Sequence, residues 1–283
     1  MPIAPLAALL LAATSPPAAA TADPPRDAVH PATMAAFVIP AQDGAMNAVL
    51  YRAAGAGPHP MLLLLHGFPG NEQNLDLGQA ARRAGWSVLT LHYRGSWGSP
   101  GRFTFAGAAD DARTAIAFLR ANAERYGIDP RRMAVAGHSM GGMMAARAAA
   151  DDKALLGAFL IDPWDMAGSA RFYRSDAAAR QDFIDNELRG DLPPLAGTSE
   201  AALLAELDAT GPRLDLPVTI REIGRRPVAM VYAERGNGTD QARSISRAAG
   251  LPTPPVLPTD HSFSDMRIAL ATRLVEWLAT LPR

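Results

Sequence analysis

The sequence predicts an α/β protein, with a mostly parallel sheet covered by helices on both faces. Three observations carry that expectation. From about Phe37 onward, short apolar segments of strand length alternate with longer segments of helical period. Met61-Leu62-Leu63-Leu64-Leu65 is apolar without interruption, as a strand is when helices cover both its faces. Near the end, Met266, Leu270, Leu274, Trp277 and Leu278 recur on one face of a helix spanning Met266 to Leu281.

Taken in order, Phe37-Val38-Ile39 and Asn47 to Tyr51 read as strands joined across Asp43-Gly44, a hairpin dipeptide. After the Leu-rich strand, Leu75 to Ala84 reads as a helix stopped by Gly85, Ser87 to Leu91 as a strand, and Asp110 to Asn122 as a helix. Met133 to Ala136 (strand), Met140 to Ala150 (helix) and Leu156 to Ile161 (strand) follow. Val228 to Tyr232 is the next strand and Asp240 to Ala249 the next helix. Between Asp162 and Arg226 the alternation fails. Helical stretches at Ala177 to Leu188 and Ser199 to Ala209 sit there among Pro193-Pro194 and Gly211-Pro212. The expectation is one domain over residues 23–283, with a helical cap inserted at about 162–226 over the sheet's carboxyl edge. No internal repeat is present, and no second stretch is expected to fold alone.

Composition narrows the function. A net charge of -1 with no long basic run leaves no face able to displace counterions from nucleic acid. The absence of cysteine excludes disulfides, thiolate catalysis and Cys-ligated zinc. Ile3 to Ala13 is apolar but too short to cross a bilayer, and Ala18, Ala20 and Ala22 supply small-residue cleavage sites behind Pro16-Pro17. Residues 1–22 therefore read as a secretory signal peptide, although no Lys or Arg precedes the apolar run. The expected location is the periplasm or the exterior, and the cytoplasm if the leader is only an Ala/Pro-rich extension. No other stretch is long and apolar enough for a membrane span.

Three motifs carry chemistry. Gly137-His138-Ser139-Met140-Gly141-Gly142 follows a strand and opens a helix. A sharp strand-to-helix turn lifts the Ser139 hydroxyl clear of the sheet, and the helix N-terminus beneath it favours negative charge. A plain Gly/Ser turn is the alternative, and the sequence of strand, elbow and helix argues against it. His66-Gly67-Phe68-Pro69-Gly70 follows the Leu-rich strand and is, alone, only a turn signal. Thr259-Asp260-His261-Ser262-Phe263 lies just before the last helix, whereas His30, His59, His66, His92 and His138 all precede Ser139. A solvated loop residue is the plainer account of His261.

Together these motifs resemble the α/β-hydrolase superfamily, and most closely its prolyl-oligopeptidase-like and dienelactone-hydrolase-like serine hydrolases. The loop His92-Tyr93-Arg94-Gly95-Ser96-Trp97-Gly98-Ser99 and the Trp277-bearing helix add to the likeness, which spans Phe37 to Leu281 apart from the cap. The resemblance implies the α/β-hydrolase fold, no cofactor, and a triad in the chain order Ser, acid, His, which only His261 satisfies. It implies Ser139 as nucleophile, His261 as general base, and backbone N–H groups of Phe68 and Met140 as the oxyanion hole. The acid departs from the pattern. The family's Asp lies a few residues beyond the seventh strand, where this chain has Gly236 within Ala233-Glu234-Arg235-Gly236-Asn237-Gly238-Thr239-Asp240. Glu234 and Asp240 are equal candidates, Asp240 reading also as a helix N-cap, and Asp162 after the sixth strand ranks third.

The expected function is hydrolysis of carboxylic esters through an acyl-enzyme on Ser139, with amides and short peptides less favoured because the chain has no room for a filtering domain. Two alternatives stand beside it: a catalytically degenerate binding protein, motivated by Gly236, and an acyltransferase that excludes water. Trp97, Trp164 and Phe172 are candidates for an apolar substrate pocket, each equally readable as core. Neither metal nor nucleotide is expected, since no His-x-x-x-His, carboxylate cluster or phosphate-binding glycine loop is present. The expected partner is a small-molecule ester or acyl compound, and the oligomeric state is left open.

Overall fold

The computed structural model describes residues 17–282. Its centre is one eight-stranded sheet in the order β1-β2-β4-β3-β5-β6-β7-β8. The strands are β1 (Thr33–Ala41), β2 (Gly44–Arg52), β3 (His59–Leu65), β4 (Ser87–Leu91), β5 (Ile128–His138), β6 (Ala158–Ile161), β7 (Val228–Arg235) and β8 (Val256–Asp260). β2 runs antiparallel to β1 and β4, and every pairing from β4 through β8 is parallel. The helices are α1 (Ala18–Thr21), α2 (Leu75–Arg83), α3 (Phe105–Ala121), α4 (Ala123–Tyr126), α5 (Met140–Asp151), α6 (Met166–Ser175), α7 (Ala177–Phe183), α8 (Glu200–Asp208), α9 (Leu216–Ile223), α10 (Gly238–Ala249) and α11 (Arg267–Thr280).

Strand β3 shows why its sequence is unbroken. Met61, Leu63 and Leu65 join one core with Phe105 and Ala112 of α3 and Met143 and Met144 of α5. Leu62 and Leu64 join the opposite core with Leu77 of α2 and Leu270, Leu274 and Leu278 of α11. All five are buried, and each fully buried Leu contributes roughly 1.5–3 kcal/mol of apolar burial.

Several boundaries differ from the sequence expectation, for identifiable reasons. The hairpin turns on Gln42-Asp43, with Ala41 paired to Gly44, so Gly44 already belongs to β2. Asp43 takes the left-handed φ of 59° itself, and Gly44 is required because a Cβ there would meet the Pro100 carbonyl at 2.5 Å. Helix α3 begins five residues before Asp110, since Thr104 is its N-cap and its Oγ1 accepts the Gly107 N–H at 2.8 Å. Strand β8 has no counterpart in the sequence expectation. Pro258 interrupts its pattern, and a proline lacking a donor is tolerated there because β8 is an edge strand.

The segment between β6 and β7 holds more helix than the two stretches expected. Helix α7 runs into a π-helical turn at Ile184–Leu188, α8 starts on the Ser199 cap, and α6 and α9 are additional. Met166 and Ala170 of α6 and Leu216 and Ile220 of α9 are core residues, and Asp165 Oδ1 accepts the Leu216 N–H at 3.0 Å. Part of this segment is therefore built into the main core. Most of the expected leader lies outside the described residues. Its last part forms α1, where Ala20 is buried among α2 and α11 side chains and the Ala19 carbonyl accepts from Arg83 Nε at 2.7 Å. Among the described residues, no helix is long and apolar enough to cross a membrane.

Arg94, in the loop after β4, ties three parts of the fold together. Its Nε donates to Asp111 Oδ1 at 2.5 Å, its backbone N–H to Asp111 Oδ2 at 2.8 Å, and its Nη1 to the Gln42 carbonyl of the hairpin. The Asp111 side chain is 1% exposed, so burial pushes its pKa up while Arg94 opposes that shift. Arg94→Ala is expected to cost about 3–5 kcal/mol at pH 8, because it strands a buried carboxylate. The penalty should shrink towards pH 5, since the raised pKa lets Asp111 protonate and shed the unpaired charge. Denaturant unfolding of both proteins at the two pH values measures this, and an equal penalty at both would refute it.

Candidate active site

The site begins with a backbone conformation. β5 ends at His138, α5 starts at Met140, and Ser139 between them adopts φ 55° and ψ -120°. Such a conformation costs a non-glycine residue of order 1–3 kcal/mol and persists only where the surroundings enforce it. Here they do. The Ser139 N–H donates to the Ile161 carbonyl at 2.9 Å, and its carbonyl accepts from Gly142 at 2.9 Å and Trp164 at 3.0 Å. The flanking glycines are required by space. A Cβ on Gly137 would lie 2.0 Å from the Gly141 carbonyl oxygen, and one on Gly141 would lie 2.3 Å from that of Leu65.

The loop His66 to Gly70 packs directly on this elbow, since a Cβ on Gly67 would lie 3.1 Å from Ser139 Cβ. Phe68 thus lines the same cleft as Ser139, while Met140 is the first residue of α5, where a helix leaves its N–H groups without intrahelical partners. His66 is buried beside them, and desolvation pushes its pKa down to about 4, so the ring is neutral. Its Nδ1 donates to the Gly67 carbonyl at 2.7 Å and fixes the loop.

His261 directly follows β8, and its Nδ1 lies 2.5 Å from Asp162 Oδ2. Asp162 directly follows β6 and is fully buried. Its Oδ1 also accepts the Ala233 N–H at 3.2 Å, and its Oδ2 the Asn237 N–H at 3.0 Å. Of the three acids considered from the sequence, the structure brings the third-ranked to His261. Glu234 and Asp240 are exposed, and Asp240 lies in the first turn of α10 facing Arg243. Gly236 occupies ground that no side chain can share, because its Cβ would fall 2.1 Å from Asp162 Oδ2. A second histidine steadies the first. The His138 ring packs at a 40° tilt against the His261 ring, centroids 4.5 Å apart, and its Nε2 donates to the His261 carbonyl at 2.8 Å. Burial pushes the His138 pKa down to about 3, which keeps this ring neutral.

Ser139 and His261 open onto a cleft of ≈ 460 Å³. Its lining includes the aromatic side chains of Phe68, Trp164, Tyr173 and Phe183 and the polar ones of Glu187, Asp191, Arg235 and Asn237. Trp164 is among the lining residues, its Nε1 donating to Ser169 Oγ at 2.8 Å. Trp97 and Phe172 are not among the lining side chains. They are 42% and 53% exposed, and Trp97 spends its Nε1 donor on the Pro69 carbonyl. The two acids were not singled out in the sequence; Glu187 lies in the π-helical turn and Asp191 just after it. Partial desolvation raises the Glu187 pKa, with His261 opposing, and desolvation with Glu187 nearby raises Asp191 to about 6. Among the described residues, no group of three His, Asp or Glu side chains is close enough to hold a metal ion.

Known proteins share this architecture. Residues 50–159 match the BD-FAE family, a stretch that includes the His66 loop and the elbow but neither Asp162 nor His261. A carboxylesterase, EstE1, from a metagenomic library covers 90% of this chain and 91% of its own at TM-score 0.61 and 19% identity. Est1E from Butyrivibrio proteoclasticus, solved with ferulic acid, covers 86% and 98% at TM-score 0.68 and 15% identity. The chain has the α/β-hydrolase fold. An uncharacterised protein of Mycobacterium tuberculosis strain H37Rv is 34% identical to this chain over 110 residues, which is 38% of the length of each. The finer likeness to prolyl-oligopeptidase-like and dienelactone-hydrolase-like enzymes drawn from the sequence is not shown by these matches.

The enforced backbone at Ser139 has a measurable cost. Ser139→Gly is expected to be about 1 kcal/mol more stable than Ser139→Ala in this protein, because both lose the hydroxyl but only glycine relaxes the positive φ. Parallel thermal melts test the difference, and equal stability would mean that the elbow stores no strain.

Proposed function

We propose that the protein is a serine hydrolase that cleaves carboxylic esters through an acyl-enzyme on Ser139. The observation that carries this function is the 2.5 Å contact between His261 Nδ1 and buried Asp162, in the same cleft as the positive-φ serine. Asp162 holds the proton on Nδ1, so Nε2 is free to accept the Ser139 proton as the hydroxyl attacks the ester carbonyl. The Phe68 and Met140 N–H groups receive the oxyanion. His261 then returns the proton to the departing alcohol, and water, activated by the same ring, releases the acid. Gly236 motivates a degenerate, non-catalytic fold only while the acid is missing, and a buried carboxylate stands beside it. Helix α6 contributes Ser169 and Tyr173 to the cleft, α7 contributes Phe183 and the turn after it Glu187, and in this proposal they cap the substrate. The esterase relatives support esters as the substrate class.

A fluorophosphonate probe is expected to label the purified protein stoichiometrically and to leave Ser139→Ala untouched. Asp162→Asn should lower kcat/KM for a p-nitrophenyl ester on the order of 10⁴-fold, by favouring the wrong imidazole tautomer. A well-folded wild type that neither labels nor turns over ester would refute the hydrolase function.

Charge on the cleft wall gives a second expectation. Glu187 and Asp191 have raised pKa values, about 6 for Asp191, so their attraction for a cation is present above that range and lost as pH falls through it. The kcat/KM ratio of a choline ester to its neutral tert-butyl isostere should rise about fivefold from pH 5 to pH 8, near the ~1 kcal/mol limit of partly exposed charge pairs. Glu187→Gln with Asp191→Asn should flatten that rise.

A further inference from the structure

We infer that the outer edge of β1 pairs with β1 of a second copy of this chain, in an antiparallel, two-fold register centred on Ala36. The hydrogen bonds of the hairpin fix which backbone groups are on offer. On β2, the Ala45 N–H goes to the Pro100 carbonyl, the Asn47 N–H goes to Ser99 Oγ, and the Asn47 carbonyl accepts from His92. These residues face away from β1, so Met46, Ala48 and Leu50 turn towards it and meet Ile39, Phe37 and Ala35. The backbone N–H and C=O groups of Met34, Ala36 and Val38 therefore point outward. Among the described residues they have no partner, since β1 pairs with β2 alone.

The side chains agree with the backbone. Met34 and Val38 are 66% and 54% exposed, on the face opposite Phe37 and Ile39, and no charged residue stands in Thr33–Ala41. Edge strands are ordinarily blunted by charge, proline, a bulge or shortness. The other edge of this sheet is blunted so, because β8 has five residues and carries Pro258. β1 has nine, an unbroken register with β2, and its proline, Pro40, close to one end. A second copy suits this edge because the strand is self-complementary. Pairing on Ala36 sets Ala36 opposite itself and each Met34 opposite a Val38. Three residue pairs then exchange two backbone bonds each, and the exposed apolar side chains cover one another. Pro40 falls outside those pairs, and the two-fold axis puts the Asp43 side chains of the two turns at opposite ends, so no like charges meet. Both β1 edges are consumed, and assembly stops at a dimer whose outer edges are the blunted β8 strands.

Sedimentation of the full chain is expected to show a dimer that dissociates on dilution. Ala36→Lys sets two like charges across the axis at a solvent-facing position, and should weaken association about 100-fold or more without altering the circular dichroism of the fold. Ala36→Glu should do the same, and an equimolar mixture of the two variants should associate again. Cross-linking reads the register separately, and the absence of native cysteine makes it specific. Ala36→Cys should oxidise in air to a disulfide-linked dimer, its paired Cα atoms lying about 5.5 Å apart. Val38→Cys should not, because its two copies lie roughly 14 Å apart in this register. Amide exchange at Met34, Ala36 and Val38 should slow as protein concentration rises. A chain that stays monomeric at every concentration overturns the inference, as does a dimer indifferent to Ala36→Lys or cross-linked equally at both positions. Slow exchange that is independent of concentration would mean that another segment of the same chain covers the edge, and overturns it too.

Discussion

One carboxylate withdrawn from water organises the carboxyl edge of the sheet. A charge at full burial is tolerated only when donors surround it, and Asp162 collects them from three places. Ala233 comes from the end of β7, Asn237 from the approach to α10, and His261 from the loop after β8. The ends of β6, β7 and β8 are thereby drawn to one point. The elbow is tied to the same point, because the Ser139 N–H bonds the carbonyl of Ile161, the residue before Asp162. Ser139 and Asp162 are separated by one backbone hydrogen bond and one peptide unit, so neither can shift without moving the other.

Around that carboxylate the site relies on rings that stay uncharged. His66 and His138 are kept neutral by desolvation, and each spends a proton on a backbone carbonyl that shapes the pocket. The charged groups lining the cleft are Glu187, Asp191 and Arg235. The chemistry proposed for the cleft is thus set between buried neutral rings that fix positions and two acids whose charge depends on pH.

Much of this was legible in the sequence where local physics decides it. The unbroken Met61–Leu65 run required cover on both faces, and it has it. The glycines around Ser139 announced a close approach, and their Cβ positions collide with backbone. The acid was obscured because its identity depends on which strand ends meet, a tertiary fact with no local signature. Asp162 gave no cue beyond following a strand, whereas Glu234 and Asp240 stood in the segment the family pattern highlights. Strand β8 escaped notice because Pro258 breaks the alternation that marks a strand, and α6 and α9 because short helices held by core contacts carry weak local signals. Glu187 lies in a π-helical turn that spacing does not reveal, and Asp191 follows it.

The histidine hangs from the outermost strand. β8 is five residues long, pairs only with β7, and does so through an irregular register between Ala233 and Arg235. Edge strands of this kind open at a fraction of the free energy that unfolds the whole domain. Fraying of β8 would carry His261 away from Asp162 while β3 and β5 stay packed. Heat would then silence the protein reversibly, through an edge that peels and re-zips, well before its core melts.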